Sequence, residues 1–269
     1  MAPNTTIFYF SGTGNSLVCA QALAQGLGNA RVLPLVAFRE QTRILVEADR
    51  VGIVCPVYFD TLPLIVREFL PKLDLSQARY VFLAVTMGGF PGLALVHGQE
   101  ILARSGANLH AGFAVRMYPN YIAAYDPRKL GSQVRMERNL AKAVPKIVAA
   151  VRAEQRVPVR SSLTGRVFFA ALGRNFLATC RTRDRSFYAD SRCNGCGTCV
   201  QVCPVGNVEL DQGYPRWLGR CEQCLACLHF CPTEAIQIRG RPTQRRGRYH
   251  HPQVTVAEIA TQRLLPPSL

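Results

Sequence analysis

Phe8-Tyr9-Phe10-Ser11-Gly12-Thr13-Gly14-Asn15-Ser16 carries an apolar, β-rich run into a loop of small and hydroxylated residues, and a helical pattern follows over Asn15–Leu27. A loop of this kind at a helix N-terminus offers backbone N–H groups and the positive end of the helix dipole to an anion. Phosphate is the natural guest. Three nucleotide readings compete for the loop, and counting residues separates them; an ordinary tight turn stays open as the alternative. A Walker A loop ends in Gly-Lys-Ser/Thr, and no lysine stands here. A dinucleotide fingerprint wants a third glycine where Leu17 stands and an acidic residue about twenty positions on, where Arg31-Val32-Leu33-Pro34 offers none. A hydroxyl-rich loop without a countercharge remains.

Outward from this loop, residues 1–155 alternate short β-rich apolar runs with longer helical patterns, the signature of βαβ units and a parallel sheet. The runs predict strands near Thr6–Phe10, Arg31–Val36, Val51–Pro56, Tyr80–Thr86 and Leu109–Val115. Helices are predicted over Asn15–Leu27, Leu62–Leu70, Leu93–Arg104 and Gln133–Glu154. A doubly wound α/β sheet of this kind binds ligands at the carboxyl ends of its strands, so function is expected in the loops that follow them.

Eight of the eleven cysteines crowd into residues 193–231 as an internal repeat. The first copy is Cys193-x2-Cys196-x2-Cys199-x3-Cys203-Pro204, and the second is Cys221-x2-Cys224-x2-Cys227-x3-Cys231-Pro232. Three thiolates spaced by two residues wrap one face of an iron–sulfur cubane, while the fourth points to the other cluster. The spacing therefore predicts two [4Fe–4S] clusters ligated crosswise: Cys193, Cys196, Cys199 and Cys231 on one, Cys221, Cys224, Cys227 and Cys203 on the other. Zinc also uses Cys-x2-Cys pairs, but it needs four ligands per site and usually pairs two dyads rather than two triads. Thiolate ligation on this scale points to a reducing compartment.

Residues 156–185 form a basic, aromatic stretch of weak periodicity, read as a connector, and 241–269 as a basic tail. Arg239, Arg241, Arg245, Arg246 and Arg248 make a charge run of the kind that is usually solvated and mobile. Cys19 and Cys55 read as small hydrophobes, Cys180 is unassigned, and His97 reads as a surface or packing histidine. The start lacks signal-peptide features, and no apolar run approaches the roughly 20 residues that span a bilayer, so a cytoplasmic protein is expected. The net charge of +15 favours an acidic partner, a nucleic acid or an anionic surface without choosing among them.

Residues 190–240 resemble the bacterial dicluster ferredoxins at all eight cysteines and both prolines, and Ser11–Ser16 resembles the loop by which flavodoxins hold the FMN phosphate. Together they make nearly all of residues 5–240 similar to the fused flavodoxin–ferredoxin proteins called ferrodoxins. The resemblance implies a flavodoxin-like sheet of order 2-1-3-4-5 in residues 1–155, and a small α+β ferredoxin domain with two [4Fe–4S] clusters in 186–240. It also implies FMN at Ser11, Gly12, Thr13, Gly14, Asn15 and Ser16. Further flavin contacts are expected from Pro56 and Tyr58, from Met87, Gly88 and Gly89, and from Tyr118 and Asn120. The expected function is electron transfer between FMN, the clusters and external partners, with no catalytic side chain assigned. The partner expected is an acidic redox protein, a ferredoxin or flavodoxin, or a reductase. An NAD(P)H-dependent flavin reductase is the alternative, although no second glycine-rich strand–helix turn is present to hold a nicotinamide phosphate. A nucleic-acid-binding role rests on charge alone and is not expected.

Overall fold

The computed structural model describes residues 4–160 and 163–264. Five parallel strands form the main sheet: β1 (Thr5–Tyr9), β2 (Ala30–Pro34), β3 (Arg50–Pro56), β4 (Tyr80–Met87) and β5 (Ala111–Arg116). They lie in the order β2-β1-β3-β4-β5. Side chains alternate across a strand. Phe8 and Phe10 of the first run therefore enter the core on one face, while Ile7 and Tyr9 enter the core on the other. Helices α1 (Asn15–Leu27) and α4 (Gln133–Arg152) cover the Ile7 face through Leu23, Ile147 and Val151; α2 (Leu64–Phe69) and α3 (Ala94–Arg104) cover the Phe8 face through Val66 and Leu102. Gly52 in β3 admits the Phe82 ring: a Cβ there would stand 2.3 Å from the ring's Cζ. Every strand and helix predicted in this half is present, with ends shifted by two residues or fewer.

The cysteine repeat folds around two antiparallel pairs. In one, β6 (Phe187–Ala189) pairs with β9 (Ile236–Ile238); in the other, β7 (Val208–Asp211) pairs with β8 (Tyr214–Trp217). The two copies match in backbone as well as in sequence. Gly195, Gly197 and Gly206 take left-handed conformations in the first, and Gln223, Leu225 and Glu234 take them at the corresponding places in the second. Glycine adopts such angles freely, whereas Gln223 and Leu225 do so under strain.

The expectation of a solvated tail fails for Arg246 and Arg248 and for the segment beyond them, while Arg239, Arg241 and Arg245 are exposed. Arg246 donates to the Ile122 carbonyl (2.6 Å), and Arg248 donates to the carbonyls of Ile236 (2.8 Å) and Glu234 (3.1 Å). Thr243, His251, Val254, Ile259 and Gln262 are buried. A guanidinium with carbonyl acceptors at hand is held by them, so a run of arginines is not by itself a solvated segment. The connector holds two short helices, Leu163–Phe168 and Arg174–Thr179, joined by a π-helical turn. Among the described residues no helix is long and apolar enough to cross a membrane.

Candidate functional site

The loop after β1 is folded by its own hydroxyls. The Gly14 N–H donates to Ser11 Oγ (3.0 Å), and Gly14 caps α1 at φ 96°. Ser16 Oγ and Thr86 Oγ1 are 2.7 Å apart, Thr13 Oγ1 accepts from Asn120 Nδ2 (2.5 Å), and Asn15 Nδ2 donates to the Tyr118 carbonyl (3.0 Å). The C-terminal segment closes over the loop. Gln262 accepts from the Ser11 N–H (3.0 Å) and donates to its carbonyl (2.9 Å), while the His251 N–H donates to the Thr13 carbonyl (2.7 Å). Among the described residues, the N–H groups of Gly12, Thr13, Asn15 and Ser16 have no acceptor.

Beside the loop lies a cavity of about 420 Å³. Its walls are the segments that follow three strands, Val57–Asp60, Met87–Phe90 and Pro119–Tyr121, together with Leu172 and Phe176 from the connector. Phe59 and Asp60 form the left-handed centre of a tight turn (φ 47° and 64°), in which Tyr58 and Thr61 exchange backbone hydrogen bonds. That strained turn projects Phe59 onto Phe176, stacked at 4.6 Å, with the Arg183 guanidinium 5.3 Å from the Phe59 ring. The remaining wall is Gln223-Cys224-Leu225, from the second cysteine copy. The same turn meets the loop directly: a Cβ on Gly12 would stand 2.4 Å from the Cys224 carbonyl oxygen.

The cysteines gather across the copies. Cys193, Cys196, Cys199 and Cys231 border one small cavity. Burial pushes the Cys199 thiol up to about 11, and its neighbours Cys231 and Cys196 add to the effect. Cys203 acts on Cys224 and Cys227, whose thiols burial drives upward, and Cys199 acts on Cys227 as well. Backbone N–H groups already point at sulfur, from Asn207 to Cys203 (3.1 Å), from Ala235 to Cys231 (3.3 Å) and from Gln223 to Cys221 (3.2 Å). Among the described residues, no three Cys, His, Asp or Glu converge as they would on a single ion. Glu222 anchors the second copy by accepting from the Ile65 N–H at the start of α2 (3.0 Å), and burial raises its carboxyl to about 7.

Residues 6–90 match the family described as a flavodoxin domain, and residues 188–209 match that described as a 4Fe–4S binding domain. The chain joins a flavodoxin domain to a 4Fe–4S binding domain. Its function is flavin and iron–sulfur redox chemistry. Among solved structures, it is similar to the two-electron reduced flavodoxin of Megasphaera elsdenii, at 18% identity over 53% of this chain and 98% of that one, with a TM-score of 0.34. It is also similar to an NAD(P)H:quinone oxidoreductase of Methanothermobacter marburgensis (10% identity, 56% and 100% covered, TM-score 0.41). A third is a flavoprotein in complex with FMN from Lactobacillus acidophilus (17% identity, 43% and 93% covered, TM-score 0.34). No curated protein matches.

Of the residues expected to contact a flavin, Tyr58, Met87, Gly88, Gly89 and Asn120 meet on the cavity wall of the flavodoxin domain. Ser11–Ser16 lie behind that wall and reach it through the Thr13–Asn120 hydrogen bond. Pro56 ends β3 outside the lining, and Tyr118 stacks instead on Tyr249 at 4.2 Å. The donor set suits an FMN phosphate, because unpartnered N–H groups converge at the start of α1, which has no acidic residue in its first turn. Sequence reasoning missed Gln262, Phe176 and the Gln223–Leu225 turn. Phe176 sits in an apolar stretch that marks it for burial, but Gln262 and Gln223 carry no local signal, since their contacts lie far off in the chain.

Proposed function

We propose that this chain is an electron-transfer protein carrying one FMN and two [4Fe–4S] clusters, ligated crosswise by Cys193, Cys196, Cys199 and Cys231 and by Cys221, Cys224, Cys227 and Cys203. One observation carries the reading: the turn that holds Cys224 is at once a wall of the flavin cavity and the neighbour of Gly12 in the phosphate loop. A residue assigned to a cluster thus touches both parts of the flavin site. When bound, FMN supplies one- and two-electron chemistry and each cluster one-electron chemistry.

The chain's own part is to bind, align and exclude water. The N–H groups of Gly12, Thr13, Asn15 and Ser16 hold the phosphate; Tyr58, the Gly88-Gly89 backbone and Asn120 border the ring; and the Phe59–Phe176 stack shields the cavity. The partner in this reading is an acidic redox protein. Arg135, Arg138, Lys142 and Lys146 of α4 are all exposed on a chain of net charge +15, whereas Arg246 and Arg248 are engaged by carbonyls and are withdrawn from this role. Eight thiolate ligands suit a reducing compartment, so we place the protein in the cytoplasm.

The test is anaerobic purification followed by counts of iron, acid-labile sulfide and flavin. Two cubanes require about eight irons and eight sulfides per chain, together with one FMN. Half that iron would leave one cysteine set without a cluster, and a chain that neither carries nor takes up FMN would end the flavin half of the proposal.

A further inference from the structure

His229 ends the short helix Ala226–His229, lies between Cys227 and Cys231, and is buried. Both of its ring nitrogens are engaged. Nδ1 accepts from the Tyr249 N–H (3.1 Å), which fixes the tautomer: the proton sits on Nε2, and Nε2 donates to the Asn120 carbonyl (2.8 Å). Each partner continues into the phosphate loop. Asn120 Nδ2 donates to Thr13 Oγ1 (2.5 Å). The Tyr249 hydroxyl donates to Asn15 Oδ1 (2.8 Å), and its ring stacks on Tyr118, whose carbonyl takes the other end of the Asn15 amide (3.0 Å).

Two routes thus leave one imidazole and end on Thr13 and Asn15, the residues on either side of the left-handed Gly14. The N–H groups of Thr13 and Asn15 are two of the four in the loop that have no acceptor among the described residues. We propose that His229 is a positioning residue for the flavin phosphate, holding Thr13 and Asn15 so that the loop selects FMN over the same flavin without its phosphate. Donors fixed before a ligand arrives bind it at a lower ordering cost. A buried network of this kind has no spare partner, so loss of the imidazole leaves the Tyr249 N–H and the Asn120 carbonyl unpaired and loosens both routes at once. Riboflavin carries the same ring as FMN and no phosphate, so the effect falls on FMN. A residue of the cysteine repeat thereby sets which flavin the sheet domain keeps.

The inference rests on the reading that FMN is held through its phosphate at this loop, so the unaltered chain is measured first; a parent that binds FMN no better than riboflavin would sink that reading and not merely this one. Full-length protein loaded with iron and sulfide and freed of flavin is dialysed anaerobically to equilibrium against each flavin in turn. In His229→Phe, which removes both hydrogen bonds, the FMN affinity should fall about tenfold, the scale of one net hydrogen bond, while the riboflavin affinity and the iron and sulfide counts hold. His229→Gln keeps a donor for the Asn120 carbonyl and should recover part of the loss. If His229→Phe fails to load, Tyr249→Phe decides the matter: it deletes the one hydroxyl that holds Asn15, leaves the imidazole in place, and should show the same loss confined to FMN. An unchanged FMN affinity in the loaded variant, or equal losses for the two flavins, overturns the proposal.

Discussion

Gly12 has no room for a side chain, because the atom that a Cβ would meet at 2.4 Å is backbone and cannot swing aside. Gly12→Ala should therefore cost about 1–3 kcal/mol by overpacking and pry the phosphate loop from the Cys224 turn. Urea denaturation and flavin retention on a desalting column both report it, and an alanine variant with unchanged midpoint and full flavin would count against the contact. His97 is the second case. Read as a surface or packing histidine, it is buried, with Nδ1 2.7 Å from Thr61 Oγ1 and its ring against Phe169. Burial, aided by the Arg67 charge, lowers it from 6.5 to about 4. A group depressed in this sense is neutral in the fold while the unfolded chain takes up a proton. Its contribution to stability is complete above pH 6.5 and is lost as pH falls toward 4. His97→Gln should flatten the dependence of melting temperature on pH across that window. A slope identical to that of the parent would assign the titration elsewhere.

The sheet and its helices were legible because each is written in local periodicity, apolar runs of strand length alternating with helical faces, and the buried strands leave little freedom over where those runs begin. The C-terminal segment was not legible, for the opposite reason. Arg246 and Arg248 look solvated in isolation and become half-buried because they donate to carbonyls of Ile122 and Ile236, remote in the chain or across a turn. The phosphate loop could be read from its hydroxyls and glycines; the fact that Gln262 closes it could not. That side chain replaces a missing strand neighbour by pairing with both the N–H and the carbonyl of Ser11. Gln262→Ala strips both partners from buried backbone groups, at about 1–3 kcal/mol for each group left unsatisfied. Thermal denaturation of the loaded protein should show the loss, and the flavin should leave faster on dilution. A variant as stable as the parent, with the same flavin off-rate, would show the segment to be a passenger.

At the scale of the whole molecule, charge and connectivity matter more than any single contact. The exposed stripe of α4 carries four cations on a strongly basic chain, and long-range attraction of this kind acts on association rate. Reversing Arg138 and Lys142 to glutamate should slow electron exchange with an acidic ferredoxin at low salt and change little at physiological strength, where the Debye length is about 8 Å. Equal rates in both salts would return the stripe to an ordinary solvated face. Connectivity has its own consequence. Ser11 and Gln262 stand 251 residues apart in the chain, and a ribosome delivers the first long before the second. Domains fold from the N-terminus as they emerge, so the five-stranded sheet can form while its phosphate loop is still open. The loop is closed only after all eight cluster cysteines have been made. Biosynthesis therefore imposes a sequence on assembly, in which capture of the flavin becomes final after the iron-binding region exists to fold beside it.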